Sequence, residues 1–554
     1  MGVFGGPEIP NDGLVLALDA GNPRNFNLTA VEVLVVAGGG GGGGSYGAAG
    51  GGGAGGLVYH SSKQVTPGTQ LTVTIGVGGQ GGRYYSGSTS GNYGASNNSH
   101  GFQGGNSSFD DIVAIGGGGG NEAFYTDSIY KNGGSGGGAG DYYFGIANPG
   151  ASRGGLATQT DSGGGIGYGF PGGSRGPGGP TTAEDNSHAI PHEGSGGGGA
   201  GGTATGGGPS QPSNGGIGRY YPQFIGAGSP EGWFAGGGGG GYYYYGPYTS
   251  TNAPNTDTGW KGGGGRGCNG NTNYDAQDGG TYARGRGTTA GTPNTGGGGG
   301  GGSGNNTTPN APDGGSGIVI VRYPGPQKAI GGVVTSVGGD TIHTFTTSGN
   351  FTPLVATNGS AVLGLSDLSG NRNFGTTANS PTYSSANGGS LSFDGSDDYV
   401  SISSGISYSE YTFMFFCKWI SSVGNNERIF GSDAFGTYTI FNPSNVGFHY
   451  NPLGGSPPSV ILSSGVNIGF GTWCQVAVTV SASNTLVKIY VNGVLGNSSS
   501  ALPSQNLVGN LFIGAQNTSH KSNCNVSNFN LYNRALSAAE ISQNFNALRG
   551  RYGI

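Results

Sequence analysis

Charge is scarce in this sequence. Asp, Glu, Lys and Arg make up 9% of the 554 residues, too few for the disorder that high net charge drives. The 21 Lys and Arg are scattered and outnumbered by 27 Asp and Glu, for a net charge of −6. That balance argues against a nucleic-acid surface. Long apolar runs are also missing. None approaches the roughly 20 residues that span a bilayer, so membrane insertion is not expected. The opening residues MGVFGGPEIPNDG have neither a charged n-region nor an apolar h-region, and no secretory signal is expected. Gly6 stands where a myristoylation signal needs Ser or Thr. Cysteine is sparse: Cys268, Cys417, Cys474 and Cys524 are far apart, with no CxxC. This usage favours buried free thiols over a metal site or a disulfide framework. Cys417 and Cys474 fall in strands of one sandwich, which leaves a bridge between them open. Catalytic signatures are missing too. There is no GK[ST] P-loop and no HExxH, and GxGxxG carries no information in a chain so rich in glycine.

Glycine itself is abundant, at 131 residues, roughly three times the usual ~7% share. The spacing is not Gly-X-Y, which excludes a collagen helix. The glycines gather in runs such as Gly38–Gly44, Gly50–Gly53, Gly116–Gly120, Gly236–Gly241 and Gly296–Gly302. A lone glycine strand should stay disordered, because Gly loses the most backbone entropy on ordering and buries no side chain. Side by side, bare backbones can approach closely and bond laterally as extended helices of three residues per turn. Such helices have no internal hydrogen bonds and need neighbours. A lattice of rods is therefore predicted. It should spring from a small β framework made of VEVLVV after Ala30, LTVTIGV from Leu71, DIVAI from Asp111, GIVIVRY near Val321 and DTIHTFTTSGNFTP from Asp340.

Between the runs lie segments rich in Tyr, Asn, Ser and Gly, the composition of recognition loops. Their tyrosines are Tyr84, Tyr85, Tyr142, Tyr143, Tyr220, Tyr221, Tyr242, Tyr243, Tyr244 and Tyr245. Two readings stand for them: packing against the rods, or contact with a ligand, here a glycan.

The remainder is a different kind of sequence. Short apolar segments punctuated by turns run from SLSFDGSDDYVSI (Ser390–Ile402, read as one strand bent at Gly395) through YTFMFFCKWI, TWCQVAVTV and TLVKIYVNGVLG to SNFNLYN. They predict an all-β sandwich, with a type I′ hairpin at Asn492–Gly493. Ser537 to Glu540 forms a capping box, and Ile541, Phe545 and Leu548 give the stripe of a short helix that Gly550 should stop. GLVLALDAGNPRN, from Gly13, reads as the sandwich's first strand. Its continuation, DLSGNRNFG, appears only at Asp367. The expectation is a discontinuous sandwich, residues 1–28 and 354–554, into which residues 29–353 are inserted. Asp394, Asp397 and Asp398 could hold Ca²⁺, a hard cation that prefers oxygen ligands, or could shape the bend through side-chain bonds to the backbone.

Several of these motifs carry a resemblance. GLVLALDAGNP, DLSGNRNFG, NGGSLSFDGSDDYV, IYVNG and YNRALSAAEISQNFNALRGRYG resemble the concanavalin-like, laminin-G-type jelly roll of phage virion proteins of a marine-phage type. VEVLVVAGGGGGG, VTPGTQLTVTIGVGG, GGSGIVIVRYP and TIHTFTTSGNFTP resemble the glycine-rich domain of phage tail and fibre proteins. The FTP strand pair commonly precedes VEVLVVAGGGG in that family; here it follows the glycine block. The resemblance implies a non-enzymatic virion protein located in the phage particle. It would be a tail-fibre adhesin for host-surface polysaccharide, or alternatively a capsid or tail decoration protein with no receptor role. Calcium or glycan binding by the sandwich, contacts with other virion proteins, and homo-oligomerisation are further implications.

Overall fold

The computed structural model describes residues 9–22, 27–44, 47–83, 99–122, 130–142, 153–174, 192–204, 213–244, 261–271, 288–302, 311–355, 357, 359, 361–424, 427–433, 438–442, 445–450, 460–481, 486–500, 506–516 and 521–554. Among the described residues the fold is all-β, with one short α-helix, Ala538–Leu548.

Two eight-stranded sheets form the sandwich. In the first, Asn523–Tyr532 pairs with Tyr411–Ser421, which pairs with Trp473–Ser481 and onward through Leu486–Val491 to Val494–Ser499. The second runs from Gly364–Leu365 through Tyr399–Tyr408 and Leu507–Ile513 to Val460–Ser463. Tyr411–Ser421 is buried along most of its length, and Phe413, Phe415, Phe430, Phe448 and Phe529 meet between the sheets. Ser390–Asp394 and Tyr399–Tyr408 are separate strands in opposite sheets, not one bent strand. Gly395, at φ 81°, lies in the crossover between them.

The early strand Leu14–Leu18 lies in the first sheet, antiparallel to Asn523–Tyr532. The segment after Asp367 stitches it in place. Ala17 N donates to Asp367 Oδ1 (3.0 Å), Leu368 N to Ala17 O (2.8 Å) and Asn373 Nδ2 to Val15 O (2.7 Å). Asn492 and Gly493 both have positive φ, as a type I′ turn requires. The helix Ala538–Leu548 carries the full capping box of Ser537 and Glu540. It ends in a 3₁₀ turn, Arg549–Arg551, with Arg549 in the right-handed region. Gly550 thus sits inside that turn and does not supply a left-handed stop. Cys417 and Cys474 are direct cross-strand partners and free thiols, with sulfurs 3.7 Å apart.

The glycine-rich region rests on a six-stranded sheet in the order Val333–Val337, Asp340–Phe345, Ile318–Pro324, Ala30–Val36, Leu57–Gln64, Ile166–Tyr168. A second sheet of five strands includes Leu71–Thr74 and Gly349–Pro353. Beyond the framework the runs pack as parallel and antiparallel rods. Gly38, Gly41 and Gly44 donate to the carbonyls of Gly105, Phe102 and Ser99; Gly39 and Gly42 donate to Gly315 and Pro312; Gly40 and Gly43 donate to Gly53 and Gly50. The same run accepts from Gly117 and Gly120, from Gly79 and Gly82, and from Gly299 and Gly302. Bonds to any one neighbour recur every third residue, the period of a three-per-turn extended helix. The Gly38–Gly44 rod is thus bonded to neighbours on all sides within one chain, which answers the need of backbone groups buried away from water. The contact is too close for a side chain: a Cβ on Gly52 would fall 2.1 Å from Gly40 O.

The framework and the sandwich share polar contacts. Asp340 pairs with Arg322 of the framework and with Arg372 of the sandwich. Lys328 Nζ donates to Ser366 Oγ at 2.5 Å, and burial lowers the Lys328 pKa to about 8.

Candidate functional site

The rods separate the candidate tyrosines into two groups. At the end remote from the framework, short strands draw together. Gly47–Ala48 pairs with Asp141–Tyr142, and His192–Glu193 pairs antiparallel with Tyr242 and Tyr243. Tyr242–Tyr244 also pairs in parallel with Asn269–Asn271. These pairs lie against one another. Tyr142, Tyr243 and Tyr244 therefore converge through their backbones. Tyr242 is buried, and its N–H donates to Cys268 O at 2.7 Å. Tyr84, Tyr85, Tyr143 and Tyr245 lie outside the described residues.

Close to this end, Glu122 is buried, and loss of hydration pushes its pKa up to about 7 against a partly opposing hydrogen bond from Ser99. His100 stacks on Tyr130 at 4.8 Å, and burial lowers its pKa.

Tyr220 and Tyr221 belong to the other end. Tyr242 is six steps along the rod from Gly236, about 19 Å at ~3.1 Å per residue. Arg219–Tyr220 forms a two-stranded ribbon with Trp233–Phe234 at the foot of that rod. Alternation along the strands sends Phe234 inward, to a cluster with Leu34, Val36 and Ile320, and Tyr220 outward, 47% exposed. Tyr221 is a core residue. Its ring lies 5.0 Å from Tyr59 and 6.2 Å from Phe224, and burial raises its hydroxyl pKa. Arg219 sits 3.5 Å above the Tyr168 ring, and Lys261 Nζ lies 5.2 Å from the Trp233 ring. Sequence reading singled out Tyr220 but missed its partner Trp233. The available signal was the alternation in GWFAGG, which places Trp and Phe on opposite faces.

The third candidate lies on the sandwich. Asp394, Asp397 and Asp398 each bring a carboxylate oxygen to within 4.8 Å of the others. Both readings of these residues have a structural basis. Asp394 Oδ1 accepts from the backbone N–H groups of Ser396 (2.7 Å) and Asp397 (3.3 Å), and Asp398 Oδ2 accepts from Asp394 N (3.2 Å). The bonds from Ser396 and its neighbours lower the Asp394 pKa, whereas burial raises that of Asp398. The all-oxygen donor set suits Ca²⁺, and water would have to complete the shell of six to eight ligands.

No helix among the described residues is long and apolar enough to cross a membrane.

Two family models match the chain. Residues 394–542 match the Concanavalin A-like lectin/glucanases superfamily, and residues 23–246 match the glycine-rich domain. No curated protein matches. Among solved structures, the binding domain of Paraclostridial Mosquitocidal Protein 1 is similar at 16% identity, covering 34% of this chain and 52% of that one, with a TM-score of 0.30. Domain 4 of an extracellular arabinanase from Geobacillus stearothermophilus, in complex with arabinotriose, is similar at 18% identity, covering 35% and 100%, with a TM-score of 0.29. The botulinum neurotoxin serotype D ligand binding domain, in complex with N-acetylneuraminic acid, is similar at 17% identity, covering 34% and 50%, with a TM-score of 0.28. The chain thus spans about half the length of the first and third of these structures.

Proposed function

We propose that this chain is a non-enzymatic structural protein of a phage virion, a tail-fibre or tail-tip component that binds host-surface glycan. In this reading residues 1–28 with 354–554 form one discontinuous lectin-like domain, and residues 29–353 form the insert that carries the recognition surface. The observation that carries it is the placement of Tyr142, Tyr243 and Tyr244 at the remote end of a bonded glycine lattice. A rigid support holds adaptable polar segments away from the body, so little entropy is lost when they bind. The match of residues 394–542 to a lectin superfamily supports the same reading.

The test uses the full chain on an array of purified bacterial surface polysaccharides. Replacing Tyr243 and Tyr244 together with Ala should weaken retention on the bound polysaccharide by about tenfold or more, the loss of one hot-spot contact. Unchanged retention would remove the remote end from the account. New reducing ends after incubation would instead place the protein with the glucanases of its superfamily. Antibody label on the capsid shell of virions, rather than on the tail, would favour a decoration role.

A further inference from the structure

The geometry points to a second saccharide site, at the framework end of the rods: the outer face of the Tyr220 ring, backed by Trp233, takes the apolar face of a neutral pyranose. The inference rests on the glycan-binding reading above but on different residues, about 19 Å from the remote tyrosines along the rod.

The ribbon has one buried and one open face. Phe234 is fully buried, while Tyr220, one residue further along the register on the partner strand, is 47% exposed. Tyr220 and Trp233 are direct cross-strand partners, with ring centroids 5.1 Å apart and planes inclined by 32°. At that spacing and tilt the two rings stack on one another, so Trp233 backs Tyr220 and the outer face of the Tyr220 ring is the open one. Ile225, 50% exposed in the turn, adds to the open apolar surface of the hairpin.

The surface is pre-organised. Tyr221 N donates to Gly232 O (2.7 Å), Trp233 N to Pro230 O (2.9 Å) and Ser229 N to Trp233 O (2.9 Å). Gly232 has φ +79°, and a Cβ there would meet Tyr220 Cε2 at 2.8 Å, so the Tyr220 ring lies directly against the backbone of the turn. A ligand need not order these rings, which removes part of the cost of binding.

The chemistry selects a pyranose. One face of such a ring presents C–H groups carrying slight positive charge, complementary to the negative face of an aromatic ring. Its hydroxyls lie at the rim, where polar side chains can reach them. The charges nearby are of both signs: Lys261 lies over the Trp233 ring and Glu231 sits in the turn. That balance favours a neutral sugar over an acidic one.

The test titrates maltohexaose, cellohexaose and mannohexaose separately into the full chain, followed by calorimetry and by tryptophan emission. At least one should bind saturably and shift the emission. Tyr220→Ala should weaken that binding about tenfold. Trp233→Phe should keep most of the heat but lose most of the emission change, a split that a folding defect would not produce. Wild-type affinity and emission change in both variants would overturn the site while leaving glycan binding elsewhere intact. No heat or emission change with any of the three sugars would overturn it too, and the polysaccharide array would then decide the broader reading separately.

Discussion

The glycine lattice and the sandwich solve the same problem in opposite ways. In the sandwich, side chains supply the burial. Phe413 and Phe430 meet with ring centroids 4.3 Å apart between two sheets whose backbone bonds lie within each sheet. In the lattice, backbone supplies it. The buried groups of Gly38–Gly44 are N–H and C=O, bonded to a different neighbour at each successive residue. A hydrophobic core gains from added apolar area, roughly 25 cal/mol per Å². A lattice of bare backbone gains nothing from an added methyl group and loses its close approach. One substitution should therefore have very unequal consequences in the two regions.

The largest expected effect tests that contrast directly. Gly52→Ala puts a Cβ 2.1 Å from Gly40 O, which accepts from Gly299 N, while Gly40 N donates to Gly53 O and Gly52 N to Gly299 O. Separating these rods disturbs several buried bonds at ~1–3 kcal/mol each, a loss on the order of 3–9 kcal/mol. Gly469→Ala in the sandwich, where nothing lies within 4 Å, should stay within about 0.5 kcal/mol. Denaturant unfolding of both variants measures the difference. Equal, small effects would mean that the rods can part without cost and that the contrast is wrong.

The legibility of the two regions in the sequence follows from the same physics. The sandwich strands showed because alternation and turn residues mark a half-buried sheet, and Asn492–Gly493 and Ser537–Glu540 name their own local geometry. The lattice showed as a kind of object, since runs of Gly with no fixed spacing have one good use in an ordered chain. Which rod bonds to which did not show, because glycine carries no side chain to encode a partner. That pairing determines which end of the rods each tyrosine occupies, so Tyr220 and Tyr243 looked equivalent in sequence. The burial of Tyr221 and Tyr242 was hidden for the same reason. The strand break at Gly395 was missed because two adjacent strands of opposite sheets read as one apolar alternation.

A pH experiment sharpens the contrast at intermediate size. Glu122, buried near the remote end of the lattice, has its pKa raised from an ordinary 4.5 to about 7 by burial. Between those values the folded state holds a proton that the unfolded chain has released. Lattice stability should therefore fall as pH rises from about 4.5 to 7 and level off above. Glu122→Gln, which needs no deprotonation, should raise stability above pH 7 by about 3 kcal/mol and change little below pH 4.5. Unfolding midpoints of the two proteins at pH 4 and pH 8 measure it, and an equal difference at both would remove Glu122 as the cause.

The sandwich should respond to acid in the reverse sense, through a smaller effect. Hydrogen bonds from Arg534 hold the Glu540 pKa down at about 2, against an ordinary 4.5, and Ser537 N–H adds to them. This carboxylate's contribution is fully present above pH 4.5 and is lost as pH falls through 2. It is partly solvent-screened, so its worth is about 1 kcal/mol rather than the full shift. Ser537→Ala removes the other half of the capping box and should also cost about 1 kcal/mol. That loss should loosen the contact between Phe545 and Phe416, whose rings stack at 6.4 Å. The helix docks on the sandwich, with Phe545 and Leu548 against Phe416 and Trp473, so Ser537→Ala should not move a lattice transition followed separately, for example by the emission of Trp233. If the two transitions shift together in Ser537→Ala, the regions are coupled through the shared Asp340 with Arg322 and Arg372, and Arg372→Ala should then uncouple them.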